Sequence, residues 1–373
     1  LKIGIDATFL TRDGRGMGRC IRTILQYWED NPERFLLLSL TRRALTTLKE
    51  YQDRGWTTCL YKEAPDLMCC WFPWNRIDWD PECPRIALIH DVAPFTKYHP
   101  NNRHREDDQA RLASAVRHAD AVMTISNFSR AEIHHHLGYP LEDMEIFPWA
   151  PDRALFSPSP VVRKDLLPEA LHDVPFLLFV GTLEPRKNLR GLLEAFTLIA
   201  KQIPHKLALV CPRPTTAWSD RLFGRTHELQ DMCDSLGERL VWMDGLDDSH
   251  LVELYRRAAL FVMPSFYEGF GLPLLEALAC GTKCAASRTS SLPEVGGSLP
   301  RWFNPKDSVD MAKAILDALE WPGPSEEELE QHLEHFSWAH TAEEILTYLE
   351  EVVQRPRRTG SGVFPSLQLP EGL

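Results

Sequence analysis

Pro264-Ser265-Phe266-Tyr267-Glu268-Gly269-Phe270-Gly271-Leu272-Pro273-Leu274-Leu275-Glu276 is the stretch on which the reading of this chain turns. The apolar run at 260–263 before it reads as a strand, and 272–279 has helical spacing. A strand, a glycine-bearing loop and a helix make one β-α unit. Gly269 and Gly271 let the backbone approach a ligand closely and take positive φ. The amides of Phe270, Gly271 and Leu272 fall at a helix N-terminus, where they can meet hydroxyls or a phosphate. Glu276, one to two turns into the helix, is placed to accept hydrogen bonds from the two hydroxyls of a ribose, and Glu268 on the loop to reach a sugar ring. The plain alternative is a glycine-rich turn with a capping acid.

Outward from this stretch the same alternation repeats. In the first half, strands are expected at 2–7, 35–40, 85–89, 121–125 and 144–148, with helices at 18–28, 109–118 and 129–137. Residues 150–170 carry Pro151, Pro158, Pro160 and Pro168 and read as a linker. The pattern then restarts, with strands at 176–180, 206–210, 240–242, 260–263 and 283–286 and helices at 189–203, 248–258 and 272–279. Two such series predict an α/β chain of two Rossmann-like, doubly wound domains, 1–155 and 156–336, facing each other across a cleft. A closing helix at 337–354, with Ser337 as N-cap, and a poorly ordered tail at 355–373 complete the expectation.

Three more segments carry chemistry. Gly181-Thr182-Leu183-Glu184-Pro185-Arg186-Lys187-Asn188-Leu189 lies between a strand and a helix, where Arg186 and Lys187 could hold a diphosphate. Basic residues at a helix start oppose its dipole, and an anion between them resolves that conflict; an exposed basic helix start is the alternative. Gly14-Arg15-Gly16-Met17-Gly18 is a weak match to a dinucleotide fingerprint, because Ile21 stands where the third glycine belongs. A flexible loop is the other reading. His90-Asp91 ends a buried strand, the place where ligands collect in such sheets.

Composition bounds the rest. The chain has 373 residues, 44% hydrophobic and 25% charged, as in an ordinary globular protein. A formal net charge of -12 excludes nucleic acid as the main partner. Residues 1–155 carry 20 basic and 22 acidic side chains, whereas the remainder carries 21 and 31. The first half is thus the better candidate for an anionic surface, with Arg12, Arg15, Arg19 and Arg22 clustered and Arg42 and Arg43 further on; a solvated helix face is the alternative. Nine cysteines without a CxxC pair read as reduced thiols and a cytoplasmic protein. No signal peptide is visible, and no apolar stretch approaches the ~20 residues that span a bilayer. His134-His135-His136 point in different directions on a helix and are not expected to bind metal. Trp71, Phe72, Trp74 and Trp79 read as packing or as a sugar-stacking surface. No Asp-x-Asp metal motif is read from the chain, and no divalent metal is expected.

The Glu268-to-Glu276 stretch resembles the E-x7-E signature of glycosyltransferase family 4, a retaining family with the GT-B fold. The resemblance extends to Ile3-Gly4-Ile5-Asp6-Ala7 with Gly16-Met17-Gly18-Arg19, to the 181–189 loop, to Ser291-Leu292-Pro293-Glu294-Val295-Gly296 and to the Ser337-Trp338 helix. Among subgroups it is similar to bacterial mannosyl- and glucosyltransferases of surface polysaccharides. The resemblance implies transfer of a hexose from a nucleoside-diphosphate sugar, of the GDP-mannose or UDP-glucose type, to a glycan or lipid-linked acceptor, with retained configuration and no metal or other cofactor. It implies His90 and Glu268 at the transferred sugar, Arg186 and Lys187 at the diphosphate, Glu276 at the ribose, Gly16 and Gly18 near the donor phosphate, and Gly245 and Leu246 against the base. Many members have Arg where this chain has Thr182, so Arg186 is expected to take over that contact. Peripheral contact with the inner membrane face through the first domain is a further expectation. Two other readings stay open: a non-catalytic nucleotide-sugar-binding partner, and a GT-B nucleotide-sugar 2-epimerase.

Overall fold

The computed structural model describes residues 1–12, 16–99, 104–212 and 226–356, those at 226–230 by backbone alone. The chain divides into two compact units. The first comprises Leu1–Val92, Glu106–Trp149 and the chain from Ser337 on; the second comprises Ala93–Arg105 and Ala150–Phe336.

The first unit is built on β1 (Lys2–Asp6), β2 (Phe35–Ser39), β3 (Thr57–Leu60), β4 (Leu67–Phe72), β5 (Arg85–Leu88), β6 (Ala121–Thr124) and β7 (Met144–Ile146). All neighbours pair parallel in the order β3-β2-β1-β4-β5-β6-β7. Parallel strands buried on both faces read as unbroken apolar runs, and Phe35-Leu36-Leu37-Leu38 is one. Two strands, β3 and the central β4, are not among those expected from the sequence. No α-helix separates β3 from β4 or β4 from β5, so the strand-helix rhythm that marks the others is missing there. Trp71 and Phe72 are the fully buried end of β4, and Trp74 and Trp79 are buried beyond it, which makes the aromatic cluster packing.

The helix Trp338–Val353, capped by Ser337, belongs to the first unit rather than standing alone. Its buried stripe of Ala342, Ile345, Leu349 and Val352 needs an apolar partner, and the helix Met17–Tyr27 and β4 supply one. The Trp28 indole donates to the Ala342 carbonyl (3.0 Å), and Thr341 Oγ1 donates to that of Pro148 (2.8 Å).

The second unit is built on β8 (Phe176–Val180), β9 (Lys206–Val210), β10 (Leu240–Met243), β11 (Leu260–Met263), β12 (Cys284–Ser287) and β13 (Arg301–Phe303), in the parallel order β10-β9-β8-β11-β12-β13. The helix expected at 189–203 ends at Ile199. There the Arg239 guanidinium donates to the carbonyls of Ala200, Ile203 and His205, which draws these residues out of helical pairing. In both sheets the strand order reverses once, between β1 and β4 and between β8 and β11. Loops leaving the carboxyl ends of two such neighbouring strands diverge and open a crevice, the usual ligand site of a doubly wound sheet. Residues 13–15 and 357–373 lie outside the described residues, and with them Gly14, Arg15 and most of the expected tail.

Candidate functional site

The loops after β8 and β11 are the two charged segments that stand out in the sequence, and the switch point brings them together. Asn188 joins them. Its amide donates to the carbonyls of Pro264 (3.0 Å) and Pro305 (2.8 Å), while its side-chain oxygen caps the helix Leu189–Ile199 through Gly191 N. It does so at φ 53°, in the left-handed region that Asn tolerates better than most residues. The amide of Phe266 donates to the Arg186 carbonyl (2.7 Å), so the two loops run in contact.

On that frame sit four charges. Glu268 accepts from Lys187 Nζ at 2.7 Å on one oxygen and from an Arg186 nitrogen at 3.0 Å on the other. Arg186 Nε donates to Glu184, which also accepts from Thr182 Oγ1 (2.9 Å). Ser265 Oγ adds a third donor to the Glu268 carboxylate at 2.6 Å. The Glu268 backbone is held separately. Its amide donates to Ser290 Oγ (3.1 Å), and its carbonyl accepts from Ser291 Oγ (2.9 Å). Burial pushes the Glu268 carboxyl up, but Lys187 and then Arg186 outweigh it and hold the group below its ordinary value. Burial pulls Lys187 below the ordinary lysine value against the attraction of Glu268, and the neighbouring guanidinium adds to the fall. The cluster sets two basic side chains against two acidic ones.

Gly271 opens the next helix, Leu272–Ala279, at φ 111°, and a Cβ there would lie 2.6 Å from Leu292 Cδ2. Only glycine meets both conditions. The same helix sinks Glu276 to 4% exposure, and the buried Tyr255 hydroxyl donates to Glu276 Oε2 at 3.2 Å. Phe270 is buried, with its ring edge toward Phe336. Leu272 is half-buried. Gly245, exposed at φ 68°, and the half-buried Leu246 follow the edge strand β10, which β9 separates from β8. They therefore stand apart from the charged cluster.

The expected residues of the first unit lie at its own switch point and beside it. Gly16 precedes the helix Met17–Tyr27 at φ 60°, and Gly18 is buried within that helix. His90 follows β5 and is buried. Its Nε2 lies 2.8 Å from the Pro73 carbonyl, which can only accept, so Nε2 carries the proton. Its amide donates to Asn75 Oδ1 (2.6 Å), its carbonyl accepts from Ser129 Oγ (2.9 Å), and its ring packs 5.6 Å from that of Trp149. Asp6 ends β1 completely buried, and its Oδ1 accepts from the amide of Thr8 (3.0 Å). Burial is the main reason its pKa rises to about 7. The Trp74 indole donates to its carbonyl (2.7 Å), which ties the loop after β4 to the end of β1. Contrary to the expectation of none, one Asp-x-Asp is present, Asp78-Trp79-Asp80 in this unit; its acids pair with different arginines, Arg76 and Arg85.

Sequence reasoning missed Ser265, Ser290, Tyr255 and Asn75, and it assigned no role to Asp6. Ser290 and Asn75 carry positive φ without being glycine, a property no local pattern announces. Ser265, beside Pro264 at the start of the β11 loop, was within reach.

In sequence and fold the chain is similar to several known proteins. Residues 174–320 match the family model described as "Glycosyl transferases group 1". This segment is thus similar to group 1 glycosyl transferases. It holds β8 to β13 and every residue of the charged cluster. The O-antigen chain mannosyltransferase B of Escherichia coli is 34% identical over 241 residues, which cover 63% of this chain and 61% of that protein. The chain thus spans under two thirds of that relative. Among solved structures, the sucrose-phosphate synthase of Thermosynechococcus elongatus superposes with a TM-score of 0.71 at 18% identity, covering 95% of this chain and 99% of that one. The Anabaena protein HepE, solved in complex with UDP and glucose, gives 0.69 at 16%, covering 94% and 100%. The fold is the one these two proteins share, two parallel sheets flanked by helices, as the GT-B expectation has it.

Proposed function

We propose that the chain is a retaining hexosyltransferase of family 4, using a nucleoside-diphosphate sugar and a glycan or lipid-linked acceptor in polysaccharide synthesis. One observation carries the reading: Arg186 and Lys187 meet Glu268 at the switch point of a segment similar to group 1 glycosyl transferases. Two cations match a diphosphate leaving group, and preorganised charge of this kind usually contributes more to catalysis than any other single effect. Glu268 receives hydroxyls of the transferred sugar, Glu276 binds the ribose, and Phe270, Gly271 and Leu272 offer backbone amides at a helix start. Gly245 and Leu246 border the base, and His90, Gly16 and Gly18 serve from the first unit. Arg186 and Lys187 neutralise the leaving group, so no divalent metal or other cofactor enters the proposal. The mannosyltransferase relative favours mannose, and the UDP complex of HepE keeps glucose in the panel.

The test is a thermal-shift panel of UDP-, GDP- and ADP-sugars on wild type and Glu276→Ala, followed by NMR of the glycoside formed from the stabilising donor. Stabilisation by one nucleotide class, weaker in the variant, with an α-linked product from an α-linked donor, is expected. EDTA should leave the rate unchanged. Binding without turnover on any acceptor would favour the inactive partner, and an altered free nucleotide sugar would favour the epimerase. Absence of any shift removes the donor reading. Cytoplasmic residence and peripheral membrane contact through the first unit belong to the same proposal; sedimentation with anionic vesicles at low salt tests the contact. Among the described residues no helix is long and apolar enough to cross a membrane.

A further inference from the structure

We propose that Glu268 is the resident anion of the donor site: its carboxylate takes the place of the diphosphate while the site is empty, and the arriving diphosphate displaces it toward the sugar. The inference rests on the nucleotide-sugar reading above. Its basis is that the two cations assigned to the diphosphate are already spent on one carboxylate, at 2.7 and 3.0 Å. Among the described residues Arg186 and Lys187 pair with Glu184 and Glu268, so these four charges close on one another. Such closure is what a buried lysine needs, because one left without a counter-charge is costly. A diphosphate brings at least two further negative charges. They cannot join a cluster that keeps both its carboxylates against the same two cations without strong repulsion.

The side chain that yields is Glu268, and its surroundings are built for that. Its backbone is pinned by the two serine hydroxyls, at 3.1 and 2.9 Å, independently of its charge partners. The side chain can therefore swing while the loop stays in place. The sugar's hydroxyls then replace the two cations as donors to the carboxylate, and the diphosphate oxygens replace the carboxylate as acceptors from the cations. No bond to carbon changes in this exchange. Diphosphate binding and sugar capture become one event, so a donor lacking either part gains less than its contacts would suggest. Glu184 is less suited to yield, because Thr182 and the Nε side of Arg186 hold it and Lys187 does not bond to it.

A group that merely binds sugar and a group that also blocks the anion site predict different signs. Titration calorimetry of the full chain with UDP, GDP and inorganic pyrophosphate separates them. Glu268→Gln keeps the shape and loses the charge. It should bind the matching diphosphate about tenfold more tightly than wild type, the equivalent of one charge-assisted hydrogen bond no longer broken on binding. Transfer by the same variant should collapse. Glu268→Asp keeps the charge on a shorter arm and should fall between the two, which covers failure of the Gln variant to fold. Equal or weaker diphosphate binding by both variants, with wild-type binding measurable, overturns the inference and leaves the donor reading standing. If wild type binds neither diphosphate nor nucleotide sugar, both fall together.

Discussion

After β8 and β11 the second sheet ends in four charged side chains, two of each sign, that face one another. After β1 and β4, and at the neighbouring β5, the first sheet presents a buried carboxyl and a buried imidazole. Asp6 is raised to about 7 by burial, and His90 points its Nε2 proton at a carbonyl. The two crevices share one topology, so topology alone does not decide what they bind. Net charge and the donors around it do. The charged crevice suits a phosphate-bearing ligand; in the other, burial works against the ionised form of Asp6.

The most forceful way to break this contrast is to remove one cation. Lys187→Met leaves Glu268 with a single cation, Arg186, and breaking one side of a buried ion pair costs about 3–5 kcal/mol. Urea unfolding should show a loss of that order, and transfer should fall by roughly a thousandfold, as for lost electrostatic stabilisers elsewhere. Adding Glu268→Leu should restore most of the stability and none of the activity. If Lys187→Met is as stable as wild type, Lys187 is not the counterweight of Glu268.

The next effect sharpens the other side. A carboxyl whose folded pKa is raised favours the protonated form, so its stabilising share is complete below the unfolded value of 3.8 and is lost as pH climbs toward about 7. Asp6→Asn removes that dependence and keeps an oxygen for Thr8. The variant should match wild type near pH 4 and exceed it by up to about 4 kcal/mol at pH 8, the size of a three-unit shift. An equal difference between the two proteins at both pH values would mean that burial does not raise the Asp6 pKa.

Two smaller effects test how the second crevice is tuned. Glu276→Ala should weaken binding of the matching nucleoside diphosphate by about 2 kcal/mol, the scale of hydrogen bonds to a charged group. Tyr255→Phe removes only the hydroxyl that bonds Glu276. It should raise the donor KM about fivefold, near 1 kcal/mol, with kcat nearly unchanged. A change in kcat alone would place Tyr255 outside donor binding.

Much of this was legible along the chain. β8, β9 and β11 were expected at the observed bounds, because continuous apolar runs such as Phe176-Leu177-Leu178-Phe179-Val180 have few alternatives to a buried parallel strand. The loop residues were legible too: glycines before a helix, acids at its start and inside it, and a basic pair before another helix are local patterns with local causes. β4 was not, since it lacks the flanking helices that frame its neighbours, and neither was the partnership of the last helix with the first unit.

What the sequence by itself determined is the inventory: which segments are strands, which loops carry charge, and where glycine is indispensable. Tertiary structure decided which of these meet. Lys187 and Glu268 stand 81 residues apart and touch because β11 lies beside β8, a neighbour relation set by the strand order of the whole sheet. Asp6 is an ordinary acid in the sequence, and its raised pKa comes from complete burial at the end of β1. Contact across a sheet and exclusion of water are properties of the packed whole, and no window along the chain contains them.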